Sequence, residues 1–83
     1  MYYVYILKSL VNGDLYVGYT TDLKRRFAEH NSKKVLSTRV NIPWKLVYYE
    51  AYSGKHDATK REKQLKMHKA KEDLKLQIRE SIE

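Results

Sequence analysis

The chain has 83 residues, no cysteine and a formal net charge of +7 at neutral pH, with a pI near 9.6. This length predicts one domain over residues 1–83, and the lack of cysteine excludes disulfides, zinc–thiolate sites and thiol nucleophiles. No apolar run is long enough to span a membrane or to form a signal-peptide core, so we expect no membrane partner and a cytoplasmic location. The positive charge favours polyanionic partners.

The first predicted elements form a β-hairpin. Residues Tyr2–Lys8 alternate without a polar face, which is typical of a central strand, and the strand is predicted to run to Ser9. Asn12-Gly13 is a strong hairpin signal, so this strand is predicted to pair antiparallel with Leu15–Thr20. A later segment rich in β-forming residues, Lys45–Tyr52, predicts a third strand.

The hairpin register is predicted from its turn. With Asn12-Gly13 at the centre, Ser9 faces Tyr16, and Tyr5 faces Thr20. That register separates Tyr5 from Tyr16 by roughly 13 Å along the strands, so either the loop is longer or the two tyrosines have different roles. Gly18 in mid-strand indicates a bulge or a close approach by another group, or alternatively a packing gap under an aromatic ring.

A helix follows the second strand. The segment Thr20-Thr21-Asp22 supplies side chains that cap a helix N-terminus. In the helical period Leu23 and Phe27 share one face, and Arg26 and His30 fall on that same face. Two polar groups therefore accompany the apolar anchors of this helix.

The remaining segments predict a loop and two helices. Residues 31–44 are polar and aperiodic, and a helix capped by Asp57 is expected to run to about Lys69. Glu62 lies on the inward stripe of that helix, where the alternative to a functional role is an internal salt bridge with Arg26 or a lysine. Residues 72–82 suit a helix or a strand, and their Glu, Lys and Gln content favours a helix. We assign four aromatic residues to the core and two histidines to the surface: Trp44, Tyr48, Tyr49 and Tyr52, and His56 and His68.

The order of these elements predicts an α+β fold, a three-stranded antiparallel sheet flanked by helices. Basic residues cluster in the loop after the first helix and along the second helix. They either contact nucleic-acid phosphates or are simply solvated. The candidate nucleic-acid-binding residues are Arg25, Lys33, Lys34, Arg39, Lys63 and Lys66.

The motifs Tyr3-Val4-Tyr5 and Tyr16-Val17-Gly18, followed by Arg26 and Glu62, resemble those of the GIY-YIG nuclease superfamily. The resemblance covers nearly the whole chain and is strongest to small stand-alone members. Their strands read YVYIL and YVGYT, and their later segments are similar to residues 43–50 and 58–66. The resemblance implies a GIY-YIG-like fold and a metal-dependent phosphodiesterase.

The resemblance also implies roles for individual residues. Tyr5 and Tyr16 correspond to the motif tyrosines, Gly18 to the motif glycine, Arg26 to the essential arginine and Glu62 to the metal-binding carboxylate. His30 matches a histidine of some family nucleases. The chain departs from the pattern at two positions, Tyr3 for a glycine and Tyr19 for a lysine that several relatives place beside the reacting phosphate.

The chemistry of these side chains suits phosphodiester hydrolysis. The planar fork of Arg26 matches phosphate oxygens. Glu62 is expected to hold one Mg²⁺ or Mn²⁺, because such an ion is commonly bound by one or two carboxylates plus substrate phosphate. Nearby cations favour a phenolate, so we interpret Tyr16 as the general base, and Tyr5 as its hydrogen-bonding partner or a water positioner.

The leading interpretation is an Mg²⁺- or Mn²⁺-dependent endonuclease that hydrolyses phosphodiester bonds in DNA. Structured or damaged DNA and RNA are also compatible substrates, and a protein partner could supply specificity. The main alternative is a catalytically weak or inactive nucleic-acid-binding module on the same scaffold, which Tyr19 favours. A third alternative is a basic protein that docks onto a protein or ribosomal partner.

Overall fold

The strands form one antiparallel sheet in the order β2-β1-β3. The computed structural model describes residues 1–83. The elements are β1 (Tyr2–Ser9), β2 (Leu15–Thr20), α1 (Leu23–Asn31), a 3₁₀ turn (Arg39–Asn41), β3 (Trp44–Tyr52), α2 (Lys55–Leu65), α3 (His68–Gln77) and α4 (Arg79–Ile82). The predicted α+β fold, with β1 central, is confirmed. None of the helices combines the length and apolar character that a membrane crossing requires.

The hairpin register differs by two residues from the prediction. Tyr5 pairs with Gly18, and Tyr16 pairs with Leu7. The loop is longer than a two-residue turn, because Ser9 N–H donates to the Asp14 carbonyl at 2.8 Å and the Ser9 carbonyl accepts from Gly13 at 2.9 Å. A shift of two residues keeps every side chain on its face. The ring centroids of Tyr5 and Tyr16 are 6.4 Å apart, so the separation of 13 Å was wrong and the longer-loop alternative is correct.

Each face of the sheet carries its own apolar cluster. On the face covered by α1, which we call the α1 face, the buried residues Tyr5, Leu7 and Trp44 pack against Leu23 and Phe27. On the other face, which we call the α2 face, strand residues pack against α2 and α3; the buried members are Val4, Ile6, Val17, Ala58, Leu65 and Leu74. Strand β1 is thus covered on both sides, as its apolar pattern predicted.

The predicted helix from Asp57 to Lys69 was wrong at both ends. Helix α2 begins at Lys55, and Asp57 lies inside its first turn. The helix stops at Leu65, because Met67 has an extended backbone with ψ of 140°. Residues 72–82 are helical, as the composition predicted, although the helix breaks at Ile78 between α3 and α4.

A polar cluster on the α2 face ties β3 to α2. Arg61 Nε donates to Glu50 Oε1 at 2.9 Å, and its Nη2 donates to Oε2 at 3.1 Å. The hydroxyls of Tyr48 and Tyr52 donate to the same carboxylate. Burial favours the protonated form of Glu50, but the hydrogen bonds from Arg61 and the two tyrosines outweigh it and hold the pKa of Glu50 below its ordinary value.

The Glu50–Arg61 pair predicts a clear stability effect. Arg61→Met leaves the Glu50 carboxylate, which is 17% exposed, without its counter-charge, so we expect a loss of about 2 kcal/mol in the free energy of unfolding. Arg79→Met, which breaks an exposed ion pair with Glu83, is the matched control and should change stability by less than about 0.5 kcal/mol. Urea unfolding measures both; equal effects would contradict the prediction.

Candidate active site

Tyr5 lies at the centre of a group of polar side chains on the α1 face. Its side chain is 1% exposed, and its hydroxyl is 2.7 Å from His30 Nε2. A Cβ atom at Gly18 would overlap the end of the Tyr5 phenol ring. The close approach expected at Gly18 is therefore made by Tyr5, across the paired strands.

His30 joins Tyr5 to the loop after α1. The imidazole is fully buried, and its Nδ1 lies 2.8 Å from the Thr38 hydroxyl. That hydroxyl also reaches the Val35 carbonyl, at 3.4 Å. Burial lowers the pKa of His30 to about 4, and the Arg26 charge contributes in the same direction. The ring is therefore neutral at pH 7.

The Val35 carbonyl fixes the direction of the hydrogen bonds that link Tyr5, His30 and Thr38. A carbonyl can only accept, so we assign the Thr38 hydroxyl as the donor to Val35 and Nδ1–H of His30 as the donor to Thr38. The neutral ring then accepts at Nε2 from the Tyr5 hydroxyl. Both ring nitrogens are used, so His30 has none free for a metal ion or a substrate.

Arg26, Tyr16 and Glu62 influence the pKa of the Tyr5 phenol. Burial raises the pKa of Tyr5 to about 12; Arg26 opposes this rise, while Tyr16 and Glu62 add to it. Tyr5 is therefore a protonated donor at neutral pH. The Arg26 side chain is 38% exposed and pairs with Glu29 at 3.2 Å, so its guanidinium lies at the water-facing edge of the group.

Glu62 lies on α2, and its negative charge helps to raise the pKa of Tyr5. Its side chain is 23% exposed and forms an ion pair with Lys66 at 3.2 Å. The internal salt bridge considered from the sequence is thus made with a lysine, the residue directly after the end of α2. The protein has no cluster of three or more His, Cys, Asp or Glu side chains that could enclose a metal ion. A single carboxylate fits an ion that keeps most of its water ligands, such as Mg²⁺ or Mn²⁺.

Comparison with known proteins shows the family of this chain. The profile of the GIY-YIG catalytic domain matches residues 1–75. The chain belongs to the GIY-YIG family. A UPF0213 protein of Streptococcus pneumoniae is 43% identical over 68 residues, covering 81% of this chain and 68% of the relative. One of Streptococcus agalactiae is 46% identical over 61 residues, covering 72% and 68%.

A solved structure supports the same family. The solution NMR structure of a UPF0213 protein from Bacillus halodurans is similar with a TM-score of 0.57 and 40% identity, covering 89% of this chain and 82% of that one. The three-stranded sheet with flanking helices is thus shared with a relative of GIY-YIG type. The family is of nuclease type, and nucleic acid is its general class of substrate.

The basic residues of this GIY-YIG domain are accessible. All six candidates for nucleic-acid binding are exposed: Arg25, Lys33, Lys34, Arg39, Lys63 and Lys66. Only Lys66 is paired with an acid. Exposed cations without acidic partners suit phosphate contacts.

The two residues that depart from the GIY-YIG pattern pack against other tyrosines. Tyr19 is on the α2 face, stacked on Tyr2 with ring centroids 6.4 Å apart. Tyr3 is on the α1 face and meets Tyr49 edge-on. Tyr49 is 53% exposed, so its assignment to the core was wrong, whereas Trp44 is buried as predicted.

Sequence reasoning missed Thr38. It is an ordinary threonine in a polar loop, and its position beside His30 depends on how that loop folds back. Its main-chain carbonyl also accepts from Trp44 Nε1 at 2.9 Å, so Trp44 holds the loop in place. No local sequence signal marks this contact.

Proposed function

We propose that this GIY-YIG protein is an endonuclease that hydrolyses phosphodiester bonds in DNA with one bound Mg²⁺ or Mn²⁺. The observation that carries the proposal is the buried Tyr5–His30 hydrogen bond with the Tyr16 ring beside it. The charges of Arg26 and Glu62 support it, because both influence the pKa of Tyr5. Phosphodiester hydrolysis requires an activated water, neutralised phosphoryl oxygens and a stabilised leaving oxygen.

The two tyrosines take different roles in this proposal. The Tyr5 hydroxyl donates its hydrogen bond to His30. Tyr5 therefore orients the site and does not take a proton from the attacking water. Tyr16 is partly exposed on β2, and its ring centroid lies 5.1 Å from that of His30. Tyr16 is the candidate general base for the attacking water, and His30 and Thr38 are positioning residues.

The cationic and acidic groups have complementary roles. Arg26 lies at the water-facing edge, where its guanidinium can bind two phosphate oxygens. Glu62 would hold the metal ion, and that ion would supply positive charge at the phosphoryl oxygens. Lys66, 55% exposed on its flexible side chain, would leave Glu62 for a substrate phosphate when the ion binds.

The proposed substrates include structured and damaged DNA. RNA is also a compatible substrate, because the same chemistry hydrolyses its phosphodiester bonds. Residues 1–83 hold the proposed machinery as one domain. A protein partner could supply specificity, since the phosphate contacts we assign to Arg25, Lys33, Lys34, Arg39, Lys63 and Lys66 carry no sequence information.

The decisive experiment is nicking of supercoiled DNA with and without Mg²⁺ or Mn²⁺. We expect metal-dependent nicking that falls on the order of 100-fold or more in Glu62→Gln and Tyr16→Phe. Tyr19→Phe, on the α2 face, and Glu80→Gln, exposed on α4, are matched controls and should retain activity. Nicking by Glu62→Gln at the wild-type rate would refute the proposed role of this carboxylate.

A second candidate function is a nucleic-acid-binding module without effective catalysis. The Glu62–Lys66 ion pair favours it, because the carboxylate needed for the metal is already neutralised. In that case the wild-type protein binds DNA with steep salt dependence but does not nick it. If the protein neither nicks nor binds DNA, the result supports the third alternative, a basic protein that docks onto a protein or ribosomal partner.

A further inference from the structure

A cavity of about 560 Å³ opens on the α1 face beside the candidate active site. Its volume lies within the usual range of small-ligand sites. Five of its lining side chains are apolar or aromatic, and a lysine joins them: Tyr3, Leu23, Phe27, Leu46, Tyr49 and Lys24. We call it the tyrosine cavity.

Residues on β1, β3 and α1 that line the tyrosine cavity are neighbours of active-site residues. Tyr49 is the direct partner of Tyr5 across β1 and β3. Tyr3 lies two residues from Tyr5 on the same face, roughly 7 Å along the strand. Phe27 adjoins Arg26 on α1. A chain of nucleotides whose phosphate contacts Arg26 would thus place a neighbouring group at the mouth of the cavity.

Aromatic side chains of the cavity are accessible. Tyr49 is 53% exposed, and Tyr3 meets it edge-on with centroids 6.1 Å apart and ring planes at 63°. The acidic residue of the wall, Asp22, is engaged as the helix cap that accepts from Arg25 N–H. An apolar, aromatic cavity in a chain of charge +7 suits a ligand that is planar and attached to phosphate.

We propose that the tyrosine cavity binds the base of an unpaired nucleotide next to the scissile phosphate. The substrate class of the proposed nuclease is then single-stranded or locally unpaired nucleic acid. This inference rests on the proposed function for the position of the phosphate. Bases inside a duplex remain stacked on one another and do not reach such a cavity unless they are flipped out.

The test is a binding measurement in EDTA, so that no cleavage contributes. Fluorescence anisotropy compares a labelled short oligothymidylate with a duplex of equal length, and the matching oligouridylate separates DNA from RNA. Tyr49→Leu keeps apolar area but removes the aromatic ring, and we expect about 5- to 100-fold weaker binding of the single strand with unchanged duplex binding. Tyr49→Phe keeps the ring and should bind within about twofold of wild type.

An abasic oligonucleotide completes the test. We expect it to bind the wild type more weakly than oligothymidylate and to be insensitive to Tyr49→Leu. Equal loss of single-strand and duplex binding, or abasic binding as tight as oligothymidylate, would overturn the inference. Thermal unfolding shows whether Tyr49→Leu remains folded. The binding measurement does not depend on plasmid nicking, so the inference and the proposed function can fail separately.

Discussion

Replacement of Gly18 by alanine is expected to lower the free energy of unfolding by about 3 kcal/mol or more. The added methyl group would overlap the Tyr5 phenol, which is 1% exposed and hydrogen-bonded to His30. The ring cannot swing outward without leaving that bond and the cluster with Trp44. The costs of overpacking and of losing a buried hydrogen bond therefore both lower the free energy of unfolding.

A double-mutant cycle with Tyr5→Val tests this cause. Without the long side chain, Gly18→Ala has room, so its additional cost should fall below about 1 kcal/mol. Gly54→Ala is the matched glycine control, because its Cβ would meet only the carboxylate of the exposed Asp57, at 3.2 Å. If Gly18→Ala costs no more than Gly54→Ala in urea unfolding, the steric account is wrong.

The predictable part of the site came from local periodicity. Alternation along β1 and β2 placed Tyr5, Tyr16 and Gly18 on one face, and this survived the error of two residues in register. The helical period of α1 placed Arg26 and His30 together for the same reason. These relations depend on backbone geometry within one element or one hairpin, which the sequence pattern reports directly.

The unpredicted part depends on contacts between distant segments. Thr38 reaches His30 because the loop folds back over α1, and Glu50 finds Arg61 because α2 packs on β3. The end of α2 at Leu65 was also unforeseen, since residues 66 and 67 contain neither glycine nor proline to mark the break. Tertiary packing decides each of these features, and no local signal precedes it.

The neutral, buried state of His30 predicts loss of stability in acid. The pKa of His30 is lowered from its ordinary value near 6.5 to about 4 by burial and by Arg26, while Glu29 acts weakly against them. Tyr5 and Tyr16 also face the ring, and Tyr5, whose pKa is raised to about 12, is uncharged in this range. Between these two pKa values the unfolded chain binds a proton that the folded protein does not, so acid favours unfolding.

The stabilising contribution of His30 is therefore complete above about pH 6.5 and is lost as the pH falls towards 4. The slope approaches about 1.4 kcal/mol per pH unit, and the total loss is about 3 kcal/mol. Urea unfolding of wild type and His30→Gln at several pH values between 7 and 4 isolates it, because Glu50 titrates in both proteins. The stability difference should shrink steadily in acid, whereas His56→Gln, exposed on α2, should track the wild type. Parallel curves for wild type and His30→Gln would mean that the imidazole accepts its proton without leaving Tyr5 and Thr38, and the assigned hydrogen-bond directions would then be wrong.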